Sequence, residues 1–131
     1  MKPRPIAFLP PVIWLVLIYM LLTLPGSDIP KVNFLDAIYF DKWVHTGLFA
    51  MLVFLFCWPF RKQYPMQHSL FISITVFAVV YGIALEYVQK YFASDRSFDI
   101  SDMIADAFGS LLGYMAIRYV ARKIAEKNKP L

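Results

Sequence analysis

Residues 63–85, QYPMQHSLFISITVFAVVYGIAL, contain no Asp, Glu, Lys or Arg. A helix needs about 20 mostly apolar residues to cross the roughly 30 Å hydrocarbon layer, so this stretch alone is long enough to span a membrane. Working outward, 6–24 and 43–60 also lack those four residue types, and His45 is the only imidazole in the second. A further run at 102–120 has Asp106 in its first turns, then an uncharged core over 107–117 that ends at Arg118. Breakers fall between the runs: Pro25, Gly26 and Pro30 after the first, Pro59 and Pro65 around the turn between the second and third. Pro10 and Pro11 mark either a kink in the first run or its true start. The expected architecture is all-α, an integral membrane bundle of four transmembrane helices (6–24, 43–60, 66–88 and 102–120) in a single domain over 1–131.

Composition agrees. The chain is 60% hydrophobic and 17% charged, where soluble domains carry about 25% charged residues. So much apolar surface exceeds what a core of this size can hide, which excludes an ordinary soluble domain and a disordered chain. Cys57 is the only cysteine, so a disulfide scaffold is excluded too. Lys2 and Arg4 before an apolar run resemble a signal peptide, but an A-x-A-like cleavage site is missing, and the run is read as an uncleaved anchor.

Four spans put both termini and the loop near 61–68 on one side. Nine of the thirteen Lys and Arg residues fall there, which by the positive-inside rule places both termini in the cytoplasm. The net charge of +4 then reflects topology and attraction to anionic membrane lipids. No basic groove interleaved with aromatics points to nucleic acid. Carboxylates show the opposite bias: of the nine, only Glu126 is inside, and turn or cap roles account poorly for Glu86 and Asp106.

The polar residues at the outer ends form patterns. Asp41 and His45 are four apart, so they share a helical face and their side chains can meet. Glu86 closes the longest apolar run with Gln89 on the same face, and Lys90 offers Glu86 a helical ion pair as the structural alternative. A carboxylate inside a span should face protein or water. Within 94–102 (SDRSFDISD), Asp99, Ser101 or Asp102 can N-cap the fourth helix. Asp102, Asp106, Gly109 and Gly113 are spaced by four, three and four, a stripe whose glycines admit a close neighbouring helix. His45, Glu86, Gln89, Arg96, Asp99, Asp102 and Asp106 thus lie near the same end of their spans and are expected to converge in one cleft.

These residues carry a resemblance to the VanZ-like membrane proteins. The pattern is Asp41-Lys42-x-x-His45 opening one span, Glu86-x-x-Gln89 closing the next, then Arg96-x-x-Asp99-x-x-Asp102 with Asp106 and the Gly109/Gly113 pair, over about 20–117. At 106 the family commonly carries Asn, so this chain departs from it there. The resemblance implies a bacterial envelope protein of the cytoplasmic (inner) membrane, multi-pass, with a link to resistance against the glycopeptide teicoplanin and no established reaction.

Two uses of the cluster follow. As an enzyme acting on a lipid-linked envelope precursor, the chain would use His45 or Glu86 as general base or acid, with Arg96 holding a phosphate or carboxylate in its planar fork. As a binding protein it would use Lys42 and Arg96 for an anionic head group, oriented by Asp41, Gln89, Asp99, Asp102 and Asp106. Proton-coupled transport is a third possibility, but the outer-end polarity offers no path through the other half of the bilayer. No cofactor is expected. Asp99, Asp102 and Asp106 could hold a divalent cation such as Mg2+, though no recognised metal motif is present. A purely structural membrane protein is the remaining alternative, and the oligomeric state is open.

Overall fold

A computed structural model describes residues 2–25, 32–92 and 98–131. Arg96 lies outside the described residues, as do Gly26, Asp28, Pro30, Lys31 and Asp95. A 3-10 turn, Pro5–Phe8, leads into α1, Leu9–Leu22. Pro10 and Pro11 sit in the first turn of α1, where backbone N–H groups have no intrahelical partner, so they mark its start. A short helix α2, Asn33–Ala37, precedes α3, Phe40–Cys57, which continues into a 3-10 turn, Trp58–Gln63. Then come α4, His68–Phe92, and α5, Ile100–Lys127.

Four of these segments are long and apolar enough to cross a membrane: Pro5–Leu22, Phe40–Gln63, His68–Phe92 and Ile100–Lys127. The four expected spans are therefore present. The third and fourth run past their expected ends at 88 and 120, because hydropathy marks the hydrocarbon slab while the helix itself continues into the polar margin. α2 was not anticipated, being too short to show a period.

Each helix divides into a packed and a bare face. On α5, Asp102, Ala105, Asp106, Gly109, Gly113 and Ile117 are buried, while Ile104, Phe108, Leu111 and Met115 are exposed. Both stripes follow helical spacing, and the bare one is apolar, as a lipid-facing surface must be. The core joins Phe49, Leu52 and Val53 of α3 to Phe71 of α4 and Ile117 and Ala121 of α5, with Cys57 as inert filler beside them.

α1 is tied in by side chains that reach main-chain carbonyls across helix gaps. Trp14 Nε1 donates to the Leu48 carbonyl at 2.9 Å, and the Tyr81 hydroxyl donates to the Leu15 carbonyl at 2.9 Å. Gln89 Nε2 donates to the carbonyl of Leu22, one of the last-turn acceptors of α1 that the helix itself leaves open.

Candidate functional site

The site is built on the contact between α3 and α5. A Cβ added to Gly109 would overlap the main-chain carbonyl of Thr46, and one added to Gly113 would overlap that of Ala50. Only hydrogen at these two positions lets the helices approach so closely. Because His45 precedes Thr46 and Asp106 lies one turn before Gly109, the same approach presses the imidazole against the carboxylate. His45 Nδ1 stands 2.7 Å from Asp106 Oδ1, and both residues are buried.

Where Asp106 is ionised its carboxylate only accepts hydrogen bonds, so Nδ1 is then the donor in that pair and Nε2 carries the lone pair. Nε2 is 3.8 Å from Asp102 Oδ2, too far for a hydrogen bond. The other oxygen of Asp102 takes a close contact from Lys42. Lys42 Nζ also meets Asp41 and Asp99, each at 2.8 Å, so one ammonium gathers carboxylates from α3 and from the start of α5.

Helix α5 begins at Ile100 because Asp99 caps it, its Oδ1 accepting from the Ser101 N–H at 2.8 Å. Of the three cap candidates, Asp99 fills the position, which frees Asp102 to turn inward. α4 contributes Glu86, whose Oε2 accepts the Asp99 N–H at 3.1 Å. One donor atom from each of His45, Glu86 and Asp102 lies within 4.8 Å of the others. This group differs from the acidic trio considered for a cation, because Asp99 is engaged by Lys42 and the cap, and Asp106 by His45.

Two local pairings differ from the sequence expectation. Asp41 does not meet His45: its exposed carboxylate turns to Lys42, while the imidazole turns toward α5. Glu86 does not pair with Lys90, whose ammonium lies over the rings of Tyr91 and Phe98 at 5.3 and 5.4 Å. Gln89 is buried beside Glu86 on α4 but is used to hold α1. Arg96 is outside the described residues, so its place relative to the cluster is not part of this geometry.

Gly82 was not singled out from sequence. It sits one turn before Glu86, and a Cβ there would come 2.8 Å from Asp106 Oδ2. The spacing of Gly82, Glu86 and Gln89, by four and three, was the available clue. A second polar group lies toward the other end of the bundle, where His68 Nε2 meets the Tyr114 hydroxyl and Arg118 Nε donates to the Tyr64 hydroxyl at 3.3 Å.

The charge on Asp99 gives a pH prediction. The Lys42 ammonium beside it, helped by Ser101, holds its carboxyl down at about 2. A carboxyl depressed in the fold contributes stability fully above its ordinary value of 3.8, and that contribution disappears as pH falls through about 2. Asp99→Asn should therefore melt below wild type near neutral pH, and the gap should close on acidification across that window. Melting curves in detergent at several pH values test this, and a gap that persists unchanged at about pH 2 would count against the pairing.

A further polar-to-apolar feature adjoins the cluster. A groove of about 390 Å3 is lined by Ile38, Tyr39, Lys42, Trp43, Thr46 and Phe108. Lys42 is the one charged side chain of this lining, which is apolar and aromatic apart from Thr46.

No curated protein and no solved structure matches the chain. The family model described as VanZ/LLP1 matches residues 8–122, from the start of α1 to near the end of α5. The match covers most of the chain and most or all of each of the four apolar helices, and this multi-pass membrane protein belongs to the VanZ/LLP1 family.

Proposed function

We propose that this protein binds and acts on an anionic, lipid-linked cell-envelope substrate at the outer leaflet of the cytoplasmic (inner) membrane, with both termini in the cytoplasm. The observation that carries the reading is the buried His45–Asp106 pair beside Glu86 and Asp102, next to a groove lined by Lys42, Trp43 and Phe108 among others. An acyl or polyprenyl chain suits the apolar trough, and the head group then lies at the Lys42 end, close to the cluster.

In this reading His45 Nε2 or the Glu86 carboxylate moves the proton, since both are held in place by hydrogen bonds from neighbouring helices. Asp106 orients the imidazole. Asp102, Asp99 and Asp41 fix Lys42, and Arg96 supplies a planar fork for the anion from the segment between α4 and α5. Charge bias supports the orientation, because the basic C-terminal end of α5, with Arg118, Arg122, Lys123 and Lys127, favours the cytoplasmic side. Membership in the family makes an effect on teicoplanin susceptibility part of the same proposal.

The test is mass spectrometry of lipids retained by the purified protein, followed by incubation with the lipid classes found. Wild type should retain an anionic envelope lipid and convert it. His45→Ala and Glu86→Gln should retain it while conversion falls by about 100-fold or more, the usual size of a lost acid or base. Conversion at the wild-type rate in both variants would remove them as proton carriers. Absence of any enriched anionic lipid would remove the substrate class. A deletion strain with unchanged teicoplanin susceptibility would remove the resistance link in that host.

A further inference from the structure

We propose that the cluster is a binding site for one divalent transition-metal cation, held by His45 Nε2, a carboxylate oxygen of Glu86 and Asp102 Oδ2. The inference rests on the reading of this cluster as the polar site of the protein; with the ion bound, His45 Nε2 is a ligand and the proton-carrying role belongs to the Glu86 oxygen that does not hold the ion.

Three helices supply the donors, one each from α3, α4 and α5, and their donor atoms lie within 4.8 Å of one another. Ligands about 2.1 Å from one ion stand at most about 4.2 Å apart, so closure around an ion needs only small side-chain movements. The 3.8 Å gap between His45 Nε2 and Asp102 Oδ2 is too long for a hydrogen bond and falls inside that limit.

Charge gives an independent reason. Glu86, Asp102 and Asp106 are all buried. Lys42 is the one lysine or arginine that an ion pair brings to this group among the described residues, and it is shared with Asp41 and Asp99. Asp106 itself is 1% exposed, and its Oδ2 has no hydrogen-bond partner among the described residues. That oxygen lies against Gly82 on the α4 wall of the cluster, one turn from Glu86. Uncompensated carboxylate oxygen in a low-dielectric interior is costly, and a cation at the centre of the group offsets it.

Asp106 then has a defined part. A metal-bound imidazole characteristically donates its other N–H to a carboxylate, which fixes its tautomer and raises its basicity as a ligand. The 2.7 Å contact between His45 Nδ1 and Asp106 Oδ1 is that arrangement. One nitrogen and two oxygen donors suit Zn2+ or Mn2+ better than the all-oxygen preference of Mg2+ or Ca2+. Three protein ligands leave at least one position for water or an anionic substrate oxygen.

The full chain, solubilised in detergent and stripped with a chelator, is titrated with Mn2+ alone and with Zn2+ alone. One ion per chain is expected, bound more weakly as pH falls because protons compete for the ligands. The Mn2+ form of the wild-type protein should show coupling to a single imidazole nitrogen in pulsed electron paramagnetic resonance, a readout that needs no variant to fold. Asp102→Asn and Glu86→Gln should weaken binding by about 100-fold or more. Asp106→Ala should weaken it by about 10- to 100-fold, with partial recovery in Asp106→Asn, which keeps an acceptor for Nδ1. Glu126→Gln should bind as wild type.

No saturable binding, no nitrogen coupling, or stoichiometric binding that survives in His45→Ala would each overturn the site. Lipid content is measured on the same preparations. Retained lipid without the ion overturns the metal site and leaves the proposed substrate class standing; bound ion without lipid supports the metal site and removes the substrate class.

Discussion

Valine in place of Gly109 is expected to separate α3 from α5 and to abolish the assembled site. The added carbon would overlap the carbonyl of Thr46, which is main chain and cannot rotate away as a side chain could. Even alanine should destabilise. Removing glycine from a helix interior gains about 1 kcal/mol, whereas overpacking costs about 1–3 kcal/mol and more where the obstacle is rigid. Gly47 on α3 is the matched control, because a Cβ there meets nothing within 4 Å. Gly47→Ala should raise the melting temperature in detergent, and Gly109→Ala should lower it. Equal melting of Gly109→Ala and wild type would show that the close approach of the two helices is not required.

Lys42→Met should be the second severe change. It leaves the buried Asp102 without its half-buried ammonium partner, and since Lys42 keeps some access to water the loss should fall at or below the about 3–5 kcal/mol of a fully buried pair. Asp41 and Asp99 are more exposed and should contribute little to that loss. The double variant Lys42→Met with Asp102→Asn removes the stranded charge and should recover much of the stability. Chemical unfolding of the four proteins in a double-mutant cycle measures the coupling. A coupling near zero would mean that Lys42 and Asp102 are each solvated separately.

How much of this was legible in the chain depends on the kind of statement. The spans were, because an uncharged run such as 63–85 has few stable places other than a membrane. The buried stripe of Asp102, Asp106, Gly109 and Gly113 was also legible, since spacing by three and four fixes one face of a helix. What spacing cannot fix is which neighbouring helix that face meets and at what height. That is why Asp41 looked like a partner for His45, while the carboxylate actually in contact comes from Asp106, distant in sequence. The role of Gly82 was hidden for the same reason: its use is to leave room for an atom from another helix.

The anchoring of α1 has a consequence for how freely this helix can vary. Trp14, Tyr81 and Gln89 each donate to a peptide oxygen, and every residue type presents that acceptor. Substitutions at Leu15 and Leu48 are therefore constrained by volume and greasiness alone as far as these bonds go, whereas the three donors must keep their chemical identity. Drift in the first helix can be extensive without loosening its attachment, provided the indole, the phenol and the amide persist.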